Sequence, residues 1–493
     1  MTILIKQFGT FLGISTTVAG YEWFKWNYAE ASNETMTEIH DDCPEKNEVN
    51  LDFANLGKIQ PPNVNKRKQN GNSTDQTSLH NHKDFTDHVI TYGRQYKHVV
   101  PKLFRVLQQI KEETGSPGIS FAISRDGDVI MKGGIGLADV ENNLPMTSQT
   151  ILRIASISKS LTSIAVGKLL EEDRINLETP IQTYLKDFPV KKFHNKAFNI
   201  TTKQLLSHTS GIRGYFQDPN KQKDKKDEKV SEKDKIKADI LLQKYGKEAN
   251  TKWDENLIMR HSKSVQDGLE LFINDPLIYQ PGTDYEYSSL AYSLVSRIIE
   301  ETSGQDYVTY MKDVCRRLGM KNTCVDLNNP IIPNRGRYYD RAKNTHRLMN
   351  VPYVDNSYKW SGGGFLSNVD DLILFGNEML KCHSPDKGIL KPSTIETLWH
   401  PVTETSTKKS QYALGWQIPS IVDREIGNNA VYHTGGAIGV SSVFYIVPSK
   451  KNVTGNPQEE SNHKENPKKE WNITGNPKEK CNQKENPKAQ SLL

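Results

Sequence analysis

The stretch ILRIASISKSLTSIAVGKLLEEDRI, residues 151–175, decides how the rest of the chain is read. Within it Ser156, Ile157, Ser158 and Lys159 spell S-x-x-K. On a helix, residues three apart share a face, which sets the Ser156 hydroxyl beside the Lys159 amine. Such a pair is either a nucleophile with its base or two polar residues on an ordinary helix. The pattern alone does not choose, because S-x-x-K occurs four times, starting at Ser156, Ser384, Ser406 and Ser461. Only Ser156 opens an apolar helical run; the other three lie in polar sequence.

A serine hydroxyl is a weak nucleophile and needs a base to take its proton. A lysine serves only when neutral, and burial and nearby positive charge both favour that form. The start of a helix adds positive partial charge, so Lys159 in the first turn after Ser156 fits the requirement. Two stretches downstream offer partners in order. Tyr285, Glu286, Tyr287, Ser288 and Ser289 place a phenol shortly before a helix, where it can pass a proton to a leaving group. His433, Thr434, Gly435 and Gly436 precede β-branched residues, as at an edge strand. Glycines there let a substrate approach closely, and the N–H of Gly436 can pair with that of Ser156 as an oxyanion hole. Alone, Tyr287 reads as a half-buried aromatic and the His433 stretch as a turn before a strand. Order and spacing carry the information.

S-x-x-K, then a tyrosine motif, then H-T-G resembles the motif series of serine β-lactamases and penicillin-binding proteins. RIASISKSLT, LLSHTSGIR, VPYVDNSYKWSGGGFLS and HTGGAIGVSSV are more similar still to the animal mitochondrial branch of that superfamily. The resemblance runs from about Val99 to Pro448 and includes a charged insertion after SGIR. It implies an α+β fold of the serine β-lactamase/transpeptidase type. An antiparallel sheet flanked by helices packs beside a mainly helical subdomain, with the site in the groove between them. It implies an acyl-enzyme, with Ser156 as nucleophile, Lys159 as base and Tyr287 as proton relay. His433 stands where many relatives carry lysine; with Ser289, Thr434 and Gly435 it would help hold an anionic or polar substrate group. Gly436 and Ser156 would form the oxyanion hole. Ser289 stands where β-lactamases usually carry asparagine, and its shorter side chain argues against ordinary β-lactam hydrolysis.

The resemblance further implies a mitochondrial serine hydrolase of the intermembrane space, linked to lipid metabolism. It would act as a peptidase on a peptide or protein substrate. It would form a homo-oligomer or filament, associate with the inner membrane, and use neither cofactor nor metal. A filament-forming scaffold with a vestigial site and an esterase are the alternatives.

The chain has 493 residues, of which 35% are hydrophobic, and a mean hydropathy of −0.66. Polar segments therefore dilute a smaller core. The net charge of +5, with acidic residues among the lysines, gives no nucleic-acid footprint. Cys43, Cys315, Cys324, Cys382 and Cys481 show no metal or disulfide spacing and read as unpaired thiols. Residues 1–31 read as a targeting or membrane-anchor segment, with Lys6 and no acid before Glu22. Residues 32–95 read as a disordered linker. Residues 96–448 read as the β-lactamase-like domain, interrupted by a charged insertion at 217–264 that is helical near 233–247. Residues 449–493 are a polar repeat tail in which Asn452 aligns with Asn472, a period of 20.

Inside the domain, VVPKLFRVLQQIKEETG predicts a helix ending at Gly115. GISFAISRDGDVIMKGGIGLAD predicts a hairpin about Asp126 and Gly127. NITTKQLLSHTSGI predicts a helix stopped at Gly211, and VYHTGGAIGVSSVFYIVP predicts two strands. In the resembled fold, a further strand after Pro448 lies inside the sheet beside the first strand and leads into a C-terminal helix. The tail alternates nowhere between apolar and polar, so the expectation is an incomplete sheet with unpaired backbone groups and a destabilised, inactive form.

Overall fold

The computed structural model describes residues 79–81, 90–215, 258–259, 261–342, 347–384, 388–408, 410–419 and 430–448. The targeting segment, most of the linker and of the charged insertion, the helix near 233–247 and the tail lie outside the described residues. Among the described residues no helix is long and apolar enough to cross a membrane.

Regular structure begins before residue 96. β1 (Leu79–Asn81) pairs with β2 (Ile90–Gly93), and Ile90, Thr91 and Tyr92 pair with Gly133, Lys132 and Met131. Four residues are too few to stand out in a polar run. They become a strand because they cover the edge of the hairpin that follows. α1 (Val100–Thr114) buries Val100, Leu103, Phe104, Leu107 and Ile110 along one stripe. It ends at Gly115, whose φ of +64° favours glycine. β3 (Gly118–Arg125) and β4 (Asp128–Asp139) form the expected hairpin. Asp126 and Gly127 turn it with φ of +53° and +87°, the two positive values a tight hairpin turn needs. The strand order is β1-β2-β4-β3.

β5 (Leu152–Arg153) leads into α2 (Ile157–Glu171), the S-x-x-K helix. α2 is buried nearly all round because it runs through the middle of the main core. α3 (Thr202–Leu206) is started by a reciprocal cap, in which the Thr201 side chain accepts from the Gln204 N–H and the Gln204 side chain from the Thr201 N–H. It stops at Ser207, well short of Gly211, because His208 turns the chain with φ +62°. α4 (Val265–Leu269), α5 (Ser289–Ser303) and α6 (Tyr307–Arg317) complete the helical layer. β6 (Cys324–Val325), α7 (Trp360–Gly363) and β7 (Phe365–Ser367) return the chain to β5. β7 pairs with both β5 and β6. Cys315, Cys324 and Cys382 are free thiols.

After α8 (Val369–His383) and α9 (Pro392–Trp399) come five consecutive antiparallel strands. These are β8 (Thr403–Glu404), β9 (Ser410–Tyr412), β10 (Gln417–Pro419), β11 (Val431–Ala437) and β12 (Val440–Ile446). The architecture is thus α+β, with antiparallel sheets and flanking helices. Among the described residues the two larger sheets do not join. Among the described residues β3 pairs only with β4, and β12 only with β11. α8 supports both strands: Ser124 of β3 donates to Asn377 Oδ1 at 2.9 Å, and Phe444 of β12 stacks on Phe375 at 5.0 Å.

Candidate active site

Three local devices hold the entry to α2. Leu366 and Ser367 of β7 pair with Arg153 and Leu152, and the Ile154 N–H donates to the Phe365 carbonyl at 3.0 Å. Arg153 is anchored from below by Asp326 at 2.8 Å, which also takes Arg335 at 2.5 Å and the Asn356 amide at 2.7 Å. Asp326 is buried, and a buried carboxylate is tolerated when its lone pairs are so filled. Ala155 then reverses the chain with φ +46°, leaving Ser156 at the N-cap of α2.

Lys159 is completely buried. Its Nζ donates to the Gly362 carbonyl at 2.5 Å and to Ser289 Oγ at 3.0 Å, and lies 3.2 Å from Ser156 Oγ. A neutral amine has two N–H groups and one lone pair. Gly362 and Ser289 take the N–H groups, which leaves the lone pair for the Ser156 proton. Burial, and then the charge of Lys359, hold the Lys159 pKa well below the ordinary lysine value. Geometry and electrostatics thus agree on the neutral, proton-accepting form.

Tyr287 closes the triangle. Lys159 Nζ lies 4.6 Å from its ring centre, and the Ser156 side chain acts on its hydroxyl, lowering the phenol pKa against the larger effect of burial. Burial pushes the phenol pKa up, so the hydroxyl keeps its proton and can hand one on.

The third motif enters differently from the expectation. Gly435 is buried against the nucleophile's own strand: a Cβ there would collide with the Ile154 carbonyl and the Ser442 hydroxyl and lie 3.1 Å from Ala155 Cβ. Ser442 Oγ also donates to the Ile154 carbonyl at 2.9 Å. β11 is therefore seated directly beside residues 154–155. Thr434 is half-buried, and Gly436 is exposed with nothing within 4 Å of where a side chain would begin.

His433, by contrast, offers nothing to a substrate anion. It is 1% exposed; its Nε2 is 2.8 Å from the Tyr412 hydroxyl and its Nδ1 is 2.6 Å from the Thr434 carbonyl. Burial and the neighbouring Lys159 push its pKa down to about 3, so it is a neutral, fully engaged ring. Ser289 likewise spends its hydroxyl on Lys159 and is nearly buried.

Two participants were not legible. The Gly362 carbonyl is a backbone atom and has no residue-type signal. His208, within SHTSG, packs its ring 4.3 Å from that of Tyr287; its left-handed conformation is the only local sign that it is special. A cavity of about 640 Å³ lined by Thr209, Gly282, Asp284, Tyr285 and Thr405, among others, opens beside Tyr285; neither Ser156 nor Lys159 lines it. Among the described residues no cluster of three or more His, Cys, Asp or Glu side chains is placed to hold a metal.

The family described as Beta-lactamase matches residues 103–455. The human "Serine beta-lactamase-like protein LACTB, mitochondrial" is 38% identical over 393 residues, covering 70% of this chain and 71% of the human protein. The mouse protein of the same name is 35% identical over 412 residues, covering 73% and 74%. Among solved structures, the octameric penicillin-binding protein homologue from Pyrococcus abyssi superposes with a TM-score of 0.56 at 23% identity, covering 71% of each chain.

Proposed function

Since the chain belongs to the beta-lactamase family and is homologous to mitochondrial LACTB, we propose that it is a serine peptidase working through an acyl-enzyme on Ser156. The observation that carries this reading is the buried Lys159 amine, held 3.2 Å from Ser156 Oγ with its N–H groups engaged elsewhere. In the first step the Lys159 lone pair takes the Ser156 proton as Oγ attacks the substrate carbonyl carbon. The N–H groups of Ser156 and Gly436 receive the developing oxyanion. The proton then passes through Tyr287 to the leaving amine, and the amine departs. Water hydrolyses the ester by the reverse sequence, returning the proton to Ser156. The mitochondrial location in the relatives' names supports a mitochondrial protein; within that reading we place it in the intermembrane space with a role in lipid metabolism.

A fluorophosphonate probe tests the core of this reading. The wild-type protein labels and Ser156→Ala does not. Lys159→Ala labels about 10²–10⁴-fold more slowly, the usual worth of a general base. Labelling of wild type no faster than of Ser156→Ala would overturn the hydrolase reading. Hydrolysis of a peptide amide as well as its matching ester distinguishes the peptidase from an esterase.

A further inference from the structure

His208 packs its ring on that of Tyr287 and hydrogen-bonds the residues on both sides of it. The Glu286 N–H donates to the His208 carbonyl at 3.0 Å. The Ser288 N–H donates to His208 Nδ1 at 3.1 Å. These N–H groups belong to the residues on either side of Tyr287. Between them the imidazole lies against the Tyr287 ring, centroids 4.3 Å apart and tilted by 44°. We infer that His208 is the positioning residue for Tyr287, fixing its backbone from both sides so that the phenol reaches Ser156; this rests on the acyl-Ser156 reading above.

The chemistry of the position explains why a histidine stands there. The backbone must turn with φ +62°, a region where histidine, asparagine and aspartate are enriched among non-glycine residues. The side chain must also present an acceptor to the Ser288 N–H within a fully buried setting. Since Nδ1 accepts, the ring proton sits on Nε2, which is buried and makes no hydrogen bond among the described residues. The imidazole also lies among aromatic rings, with the Tyr412 centroid at 4.6 Å and that of Tyr292 at 5.4 Å. A ring so enclosed is neutral, as its lowered pKa also indicates. An apolar replacement would leave the Ser288 N–H buried without a partner and release the segment that carries Tyr287. His208 itself is given no reacting atom, so its effect must travel through the Tyr287 hydroxyl.

That last clause makes a double-mutant cycle decisive. The full chain is labelled with a fluorophosphonate, and the rate is measured for wild type, His208→Leu, Tyr287→Phe and the double variant, with thermal melts as a folding control. We expect His208→Leu to slow labelling at least about tenfold when Tyr287 is present and less than about twofold when it is phenylalanine. Equal slowing in both backgrounds, or no slowing in the first, overturns the assignment. His208→Asn keeps a short acceptor and tolerates the left-handed turn, so it should label within about threefold of wild type. A folded His208→Asn protein that has lost more than about tenfold would also overturn it, even if the leucine variant does not fold. Failure of the wild-type chain to label above Ser156→Ala is a different result, one that removes the hydrolase reading on which the role depends.

Discussion

Gly435 is where one residue decides whether the third motif can serve the first. A side chain there would strike the Ile154 carbonyl and Ser442, atoms that belong to the nucleophile's strand and its neighbour. Gly435→Ala should therefore push β11 off residues 154–155 and cost about 1–3 kcal/mol, read as a fall in the urea midpoint, with slower labelling of Ser156. Gly436→Ala, where the space is open, should stay within about 0.5 kcal/mol of wild type. Equal effects at the two glycines would contradict the packing. The base makes a second prediction at this scale. Lys159 works only when neutral, so the labelling rate should rise with pH and level off well below the ordinary lysine value of 10.5. Lys359, half-buried over Tyr358 and Tyr215, is the positive neighbour that helps hold Lys159 neutral. Lys359→Met removes that charge, Lys159 then binds its proton more tightly, and the rise should move to higher pH. A profile that stays put would deny Lys359 this role. That Ser156, Lys159 and Tyr287 lie together was legible because helical spacing and motif order are properties of sequence. The engagement of His433 was not, since its partner Tyr412 lies on another strand, and only the fold determines which ring faces inward.

At the scale of elements, local chemistry was enough wherever a segment carried its own punctuation. Gly115 ended α1, and Asp126 with Gly127 turned the first hairpin. β2 had no such marks. It exists because β4 offers a partner, which is a tertiary reason. The end of α3 was misplaced for a related cause: His208 rather than Gly211 breaks the helix, and it does so through contacts with residues 279–288. Among the described residues β3 and β12 each have one side without a strand partner, which carries a measurable consequence. In a strand, backbone groups alternate in direction, so about half of the amides in each point away from β4 or β11. Those amides should exchange with solvent at least about tenfold faster than their alternating neighbours, because they lack a ladder bond. Hydrogen exchange resolved by residue would show the alternation. Uniform protection along both strands would mean that another strand pairs with them.

For the molecule as a whole, the burial that prepares the site also sets its acid limit. His433 has a pKa of about 3 in the folded protein, lowered by burial and then by Lys159, against 6.5 in an unfolded chain. Between those values the unfolded chain binds a proton that the folded one refuses. The share of stability that rests on His433 is therefore complete above about pH 6.5 and declines as pH falls toward 3, by about 1.4 kcal/mol per pH unit once well below 6.5. The pKa of His208 is shifted in the same direction, by burial first and then by Lys159 and His433, so its loss adds to the first. Glu300, whose pKa is raised by burial, opposes this. Most carboxylates, with ordinary values near 4, remain ionised down to about pH 5, so the interval from pH 6.5 to 5 reads the histidines together with the buried Lys159, whose lowered pKa acts in the same direction. For a fold whose total stability is on the order of 5–15 kcal/mol, that is a large fraction. Urea midpoints taken across this interval should fall steadily, and His433→Gln, which cannot take up the proton, should flatten the slope whatever it does to the value at pH 7. A wild-type midpoint that holds constant from pH 6.5 to 5 would mean that both rings can be protonated in place, and the closed aromatic packing around Tyr287 and Tyr412 would have to be wrong.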